Sequence, residues 1–261
     1  MINNTAKFKD IKYGLPDTAF SCMVLGSRGS GKSQLIKKLC QIYMPQIPNE
    51  NRFFISPTTY LDNTLSDFFP EEDNKFTEYT DEIIDIIIDV IQTRMNKQKE
   101  QIKKDTIKRL GVNDDEILDD RTKEKVEKYY KKNLEKYYKP ENNILIVEDS
   151  LGTFKPKSKL VFLFTRHRWY NLTIIISSQS FRSMPVVIRN NCILNFIFPT
   201  NNKELKKITE EFNNFKNDSS FIKMFNKYVF GYNTLLINRT KPKNEQYFQG
   251  IDRYIDMKEF E

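Results

Sequence analysis

Histidine is almost absent from this chain: His167 is the only one in 261 residues. Imidazole-based zinc sites and a conventional Ser-His-Asp site therefore have little support. Cysteine is nearly as scarce. Cys22, Cys40 and Cys192 are odd in number and lack metal-ligand spacing, so they read as reduced, mostly buried thiols of an intracellular protein. Long apolar runs are missing too. Even residues 83–91 are interrupted by Asp85 and Asp89, and a spanning helix needs about 18 apolar residues or more. The first sixteen residues hold no apolar signal region. A soluble protein without membrane insertion is expected.

What is present is charge. Lysine and arginine number 42 against 35 acids, for a net charge of +7. That balance permits a polyanionic partner without proving one, because lysine-rich solvated helices give the same excess. The length suits one large α/β domain, or one domain with an elaborate insertion.

The chemistry concentrates after a short apolar strand, Met23-Val24-Leu25. Gly26-Ser27-Arg28-Gly29-Ser30-Gly31-Lys32-Ser33 matches the phosphate-loop pattern G-x-x-x-x-G-K-[ST] in full. Leu35, Ile36 and Leu39 follow at helical spacing. Glycines in such a loop let backbone N–H groups turn inward around phosphate oxygens at the positive end of the helix. Lys32 would reach the β and γ phosphates of ATP, and Ser33 would hold Mg²⁺ through its hydroxyl.

A second apolar strand, Asn143-Ile144-Leu145-Ile146-Val147, ends in Glu148-Asp149. Acids at the carboxyl end of a buried strand complete a triphosphatase site: one serves the Mg²⁺ shell and its neighbour polarises water. By position Glu148 takes the metal and Asp149 the water. The commoner order puts aspartate first, so the two roles are exchangeable. Leu172-Thr173-Ile174-Ile175-Ile176-Ser177-Ser178 reads as another buried strand. It delivers Gln179, which would orient water or sense the γ-phosphate if that strand neighbours the acid-bearing one. Arg166, Arg168, Arg182 and Arg189 are candidates for a finger acting on a neighbouring subunit's nucleotide.

The rest of the chain arranges itself around these motifs. Residues 1–19 read as a polar arm, and 20–261 as a single α/β domain with strands and helices alternating. Such alternation implies a central, mostly parallel sheet covered on both faces. Thr80 is placed to cap a helix from Asp81. About residues 81–139 form a helical excursion rich in lysine and tyrosine, with Val126, Tyr130, Leu134 and Tyr137 or Tyr138 as its packing stripe. A solvated hairpin is preferred there to an arm that contacts DNA or a subunit. Residues 203–228 read as amphipathic and helical, 229–237 as an edge strand, and the remainder as a polar tail.

The runs VLGSRGSGKS, RFFISPTT, NILIVEDS and TRHRWYNLTIIISSQSFRSMPVVIRNN, with YVFGYNTLLINR near the end, resemble the genome-packaging ATPases of large DNA viruses and virophages. These form the poxvirus-type branch of the FtsK–HerA superfamily. The resemblance implies a RecA-like P-loop NTPase core and a homo-oligomeric ring around DNA, with ATP bound between subunits. It also implies sequence-independent movement of double-stranded DNA into a capsid, with a capsid or portal component as partner, in the host cytoplasm or viral factory. It carries Lys32 and Ser33 over as nucleotide and Mg²⁺ ligands, and Glu148 and Asp149 as the acid pair. Gln179 becomes the sensor and Arg166 or Arg189 the finger. A helicase or segregation pump on the same core is the alternative among enzymes. A nucleotide-gated capsid assembly protein is the alternative outside them.

Overall fold

The apolar run ahead of the glycines becomes β1 (Ser21–Leu25), with all five side chains buried. In the computed structural model, which describes residues 15–17, 19–57, 63–112, 119–148 and 157–260, the chain divides into two compact units. One is Met1–Ile84 with Asn142–Glu261, and the other is Asp85–Glu141. After β1 the first unit continues with α1 (Lys32–Tyr43), β2 (Arg52–Ile55), the single turn α2 (Asn63–Ser66) and the two-residue β3 (Lys75–Phe76). α3 (Asp81–Arg109) starts in the first unit and runs on into the second, which also contains α4 (Asp120–Tyr137). The first unit resumes with β4 (Asn143–Val147), α5 (Lys159–Arg166), β5 (Leu172–Ser178), α6 (Val186–Asn191) and β6 (Leu194–Ile197). It closes with α7 (Asn202–Phe212), α8 (Asp218–Tyr228), β7 (Leu235–Asn238), β8 (Tyr247–Gln249) and β9 (Arg253–Tyr254).

These strands form one sheet in the order β3-β2-β4-β5-β1-β6-β7-β8-β9. The six from β3 to β6 are parallel, and β7, β8 and β9 add antiparallel strands at one side. β5 lies between β1 and β4, so the strand ending in glutamine separates the phosphate-loop strand from the acid-bearing one. This is a RecA-like P-loop NTPase sheet. One face of the sheet packs Cys22 and Val24, Ile144 and Ile146, Ile175, Leu194 and Phe196 against Leu35, Ile36 and Leu39 of α1. The alternate residues Met23, Leu145, Ile174, Ile176 and Ile197 are equally buried. Burial on both faces is why these strands read as continuous apolar runs rather than alternating ones.

The second unit is a pair of antiparallel helices. Asn133 Nδ2 donates to Thr106 Oγ1 at 2.8 Å, and the Lys99 ammonium stands 5.2 Å from the centre of the Tyr138 ring. Gly111, at φ +69°, ends α3 with Val112 N–H on the Ile107 carbonyl, a left-handed cap that favours glycine. Within the expected stripe Val126 is buried, Tyr130, Leu134 and Tyr138 are half-buried, and Tyr137 is exposed. Basic and acidic side chains nearly balance between residues 85 and 141, 15 against 13, so this lysine-rich stretch carries only a small part of the net charge of +7.

Three expectations change. Residues 203–228 form two helices, not one, because Asn217 turns out of helical geometry and caps α8 by accepting from Ser220 N–H at 3.0 Å. The strand expected at 229–237 starts only at Leu235 and is not an edge, since β8 pairs with it. The polar tail holds two strands, and Tyr247 within it is fully buried.

Candidate functional site

Register brings the carboxyl ends of three strands together. Leu25 of β1 pairs with Ser178 of β5, and Val147 of β4 pairs with Ile176 of β5. Gly26, Gln179 and Glu148 therefore leave the sheet along one edge, where open parallel sheets bind ligands. Gly26 N–H donates to Ser178 O at 3.1 Å, fixing the start of the loop to the end of β5.

Inside the loop, glycine is required where it occurs. A Cβ on Gly26 would stand 2.4 Å from Ser30 Oγ and 2.8 Å from Phe198 Cβ. Gly31, immediately before α1, holds φ +101°, a conformation L side chains rarely adopt. The Lys32 ammonium is buried and donates to the carbonyls of Gly26 at 2.9 Å and Ser27 at 3.1 Å. The side chain thus folds back over its own loop. Ser27, Arg28 and Gly29 are exposed, while Ser30 Oγ is buried with no hydrogen-bond partner among the described residues.

The acid arrives from 115 residues away. Ser33 Oγ donates to Glu148 Oε1 at 3.2 Å, and Glu148 N–H is held by Ile55 O at 2.8 Å. A hydroxyl beside one carboxylate, next to a phosphate cradle, is the hard-oxygen donor set that magnesium takes, since it keeps several waters and uses substrate phosphates. The residues present fit both ATP and Mg²⁺. Asp149 lies outside the described residues.

Gln179 is half-buried at the end of β5, and the segment after it is tightly tied. Ser178 Oγ donates to Ser180 O at 3.0 Å, and Ser183 Oγ donates to the same carbonyl at 2.8 Å. Glu204, near the start of α7, accepts from Ser180 Oγ at 3.0 Å and from the amides of Phe181 at 2.8 Å and Arg182 at 3.3 Å. Sequence reasoning missed Glu204. The available signal was the Asn201-x-x-Glu204 spacing, a polar cap followed three residues later by an acid.

The arginines separate by position. Arg166, Arg168 and Arg189 precede β5 or β6 and so lie at the amino ends of the strands. Seven-residue β5 alone spans about 23 Å between those ends. Only Arg182, of the four, is at the phosphate-loop end. Arg166 is exposed, with its guanidinium 3.8 Å above the Phe162 ring and 5.3 Å from Trp169, both of them exposed. Arg189 is committed internally: it is ion-paired with Glu211 and lies 4.5 Å over the Phe181 ring. That pairing counts against Arg189 as a finger. His167 is buried with Nδ1 2.9 Å from Leu172 O, and burial holds its imidazole below the ordinary value. The three thiols are buried; burial pushes Cys40 up, and the nearby Glu148 carboxylate adds to it.

Among the described residues, no helix is long and apolar enough to cross a membrane. Residues 113–238, just under half of the chain, match the family described as Poxvirus A32 protein, in keeping with the resemblance read from the motifs. The chain is also similar to the genome packaging NTPase B204 of Sulfolobus turreted icosahedral virus 2 in complex with AMPPCP. Identity there is 15% over 85% of this chain and 93% of that one, with a TM-score of 0.45. For the DNA-packaging ATPase B204 of Sulfolobus turreted icosahedral virus the figures are 15%, 86%, 95% and 0.46. For the cytoplasmic domain of the Thermomonospora curvata type VII secretion ATPase EccC they are 12%, 90%, 25% and 0.46. No curated protein matches the chain.

Proposed function

We propose that this chain is an ATPase that drives double-stranded DNA into a viral capsid, working as a homo-oligomeric ring. The observation that carries the ATPase reading is the 3.2 Å contact between Ser33 of the phosphate loop and Glu148 at the end of β4. It joins two motifs that chemistry needs together and that the sequence keeps far apart. The packaging reading rests on the match of residues 113–238 to the poxvirus family and on the motif runs that resemble packaging ATPases.

In this proposal the N–H groups of Gly29, Gly31 and Lys32 cradle phosphate, and the Lys32 ammonium neutralises the β and γ oxygens. Ser33 and Glu148 hold Mg²⁺, which when bound offsets the charge that develops on the phosphoryl oxygens. Asp149 takes the water-polarising role and Gln179 positions that water. Arg166, exposed and remote from its own loop, is the arginine offered to a neighbouring subunit's nucleotide. Basic side chains facing a ring pore would track DNA phosphates without reading bases.

The test is steady-state ATP hydrolysis with and without linear duplex DNA, at low and moderate salt. Strong, salt-sensitive stimulation that does not depend on sequence is the expected result. Hydrolysis indifferent to DNA would remove the translocase half of the proposal. Strand separation by the same protein would replace packaging with a helicase.

A further inference from the structure

Tyr232 is the most exposed large hydrophobic side chain among the described residues, at 79%, yet it sits on the phosphate loop. Its Cδ1 lies 3.3 Å from where a Cβ on Gly31 would stand. Gly31 is the last residue before Lys32. The buried Phe198 approaches the same point at 3.4 Å, so the loop's final glycine lies close to two rings, one in the core and one in water.

The turn that presents Tyr232 is well anchored. Asn233 N–H donates to Phe230 O at 3.0 Å, closing a four-residue turn, and Gly231 at its corner holds φ +57°. Directly after it Thr234 is buried and its carbonyl accepts from Gly250 N–H at 2.8 Å, and β7 begins at Leu235. The backbone is thus fixed to the sheet while the Tyr232 ring, and Phe230 at 58% exposure, stay in solvent. Neither ring is needed to fill the core.

We infer that the Phe230–Asn233 turn is the nucleobase platform of the site, with the Tyr232 ring stacking on the base of a nucleoside triphosphate whose phosphates lie in the loop. The inference rests on the phosphate-loop reading above and extends it to the other end of the ligand. A nucleotide held by its phosphates at residues 26–33 must carry its ribose and base past the rim of that loop, and Tyr232 is an aromatic side chain at that rim. Stacking on a π face tolerates any base but favours larger ring systems. It strengthens when the platform is already fixed, because little conformational entropy is lost on binding.

Binding of Mg²⁺–ATP and of Mg²⁺–tripolyphosphate, which has phosphates but no base, separates the two ideas. Both are measured calorimetrically on wild type, Tyr232→Ala and Tyr232→Phe. At 79% exposure the truncation leaves the fold intact, which an unchanged melting temperature checks. The expected result is an ATP affinity lower on the order of 10- to 100-fold in Tyr232→Ala, with tripolyphosphate affinity unchanged and Tyr232→Phe close to wild type for both. Unchanged ATP affinity in Tyr232→Ala overturns the platform. So does an equal loss for both ligands, which would make Tyr232 a support of the loop. A wild type that binds neither ligand overturns the phosphate-loop reading itself, and the platform with it.

Discussion

The Glu204 carboxylate accepts the Phe181 amide at 2.8 Å and the Ser180 hydroxyl at 3.0 Å, so an acid on α7 fixes the segment that follows Gln179. Burying a carboxylate is costly unless its oxygens are hydrogen-bonded, and here both of them are. If Gln179 positions the water as proposed, Glu204 acts through the segment that follows it as a positioning residue. Glu204→Gln can accept fewer of these bonds and presents a donor to the rest. We expect kcat for ATP to fall about 10- to 100-fold, as small misplacements at reacting centres do, with KM almost unchanged. Loss of ATP affinity in proportion to kcat would mean that Glu204 is holding the whole fold instead.

Lys32→Ala and Glu148→Gln should split binding from chemistry. If Lys32 supplies charge to phosphate oxygens as proposed, its loss should abolish measurable ATP binding while the melting temperature moves little. Glu148→Gln keeps the size and the contact with Ser33 but removes the negative charge that would hold Mg²⁺ in the proposed site. It should bind ATP and turn over at least about 100-fold more slowly. Wild-type ATP affinity in Lys32→Ala would refute the site assignment.

The candidate site's residues could be proposed from the sequence because each motif is local: eight residues for the loop, seven for the acid strand, one glutamine after a run of isoleucine. Their assembly was only partly legible. Gln179 was tied to the loop by the Leu25–Ser178 register, a pairing between residues far apart in sequence that no local pattern encodes. On the sheet's antiparallel side β7 overlaps the strand expected at 229–237, but β8 and β9 were missed for a similar reason. Tyr247, Phe248 and Gln249 form a strand only three residues long, set among lysine, asparagine and glutamate, and Tyr247 is buried by Phe212, Phe215 and Phe221 while Phe248 joins the core on the α1 face. The pairing of Arg189 with Glu211 was not legible at all, because an arginine's partner is a tertiary fact.

The same oversight makes Tyr247 a sharp test of the fold. Its ring is fully buried and stacks 5.7 Å from Phe215. Its hydroxyl donates to Phe212 O at 2.5 Å and accepts from Asn214 N–H at 2.8 Å, and it thereby clamps the break between α7 and α8. Tyr247→Ala should cost about 3–5 kcal/mol in denaturant unfolding, typical of a large aromatic removed from a core. Tyr247→Phe keeps the ring and should cost about 1–2 kcal/mol for the lost hydroxyl bonds. A change below 1 kcal/mol in the alanine variant would show that this segment is not part of the cooperative unit.

His167 gives a pH test with one titrating imidazole. Burial lowers its pKa, the Leu172 carbonyl partly offsets that, and Arg168 adds to the lowering. A folded value below the unfolded one means that the unfolded chain takes up the proton first. The stabilisation is therefore complete above about pH 6.5 and is lost as pH falls below it. Glu211, raised by burial, works in the opposite sense, so the comparison must be between His167→Asn and wild type. The unfolding midpoint should drop less in the variant between pH 7 and pH 5; equal slopes would show that His167 is not buried in its neutral form.

Arg166 and Arg189 should fail in different ways. Arg189→Ala removes the partner of Glu211, a carboxyl that burial already pushes up, and leaves an acid in a half-buried site. Breaking a fully buried pair costs about 3–5 kcal/mol and this partly exposed one should cost less, so the variant should show a lower melting temperature, and Arg189→Ala with Glu211→Ala should recover part of it. Arg166→Ala removes a guanidinium stacked on exposed Phe162 and Trp169, and should leave stability unchanged. Mixed with wild type, it should depress activity more than in proportion to its share, because each variant subunit disables a neighbour's nucleotide. Strict proportionality would rule Arg166 out as the finger and turn attention to Arg182, the one of the four candidates on the phosphate-loop side of the sheet.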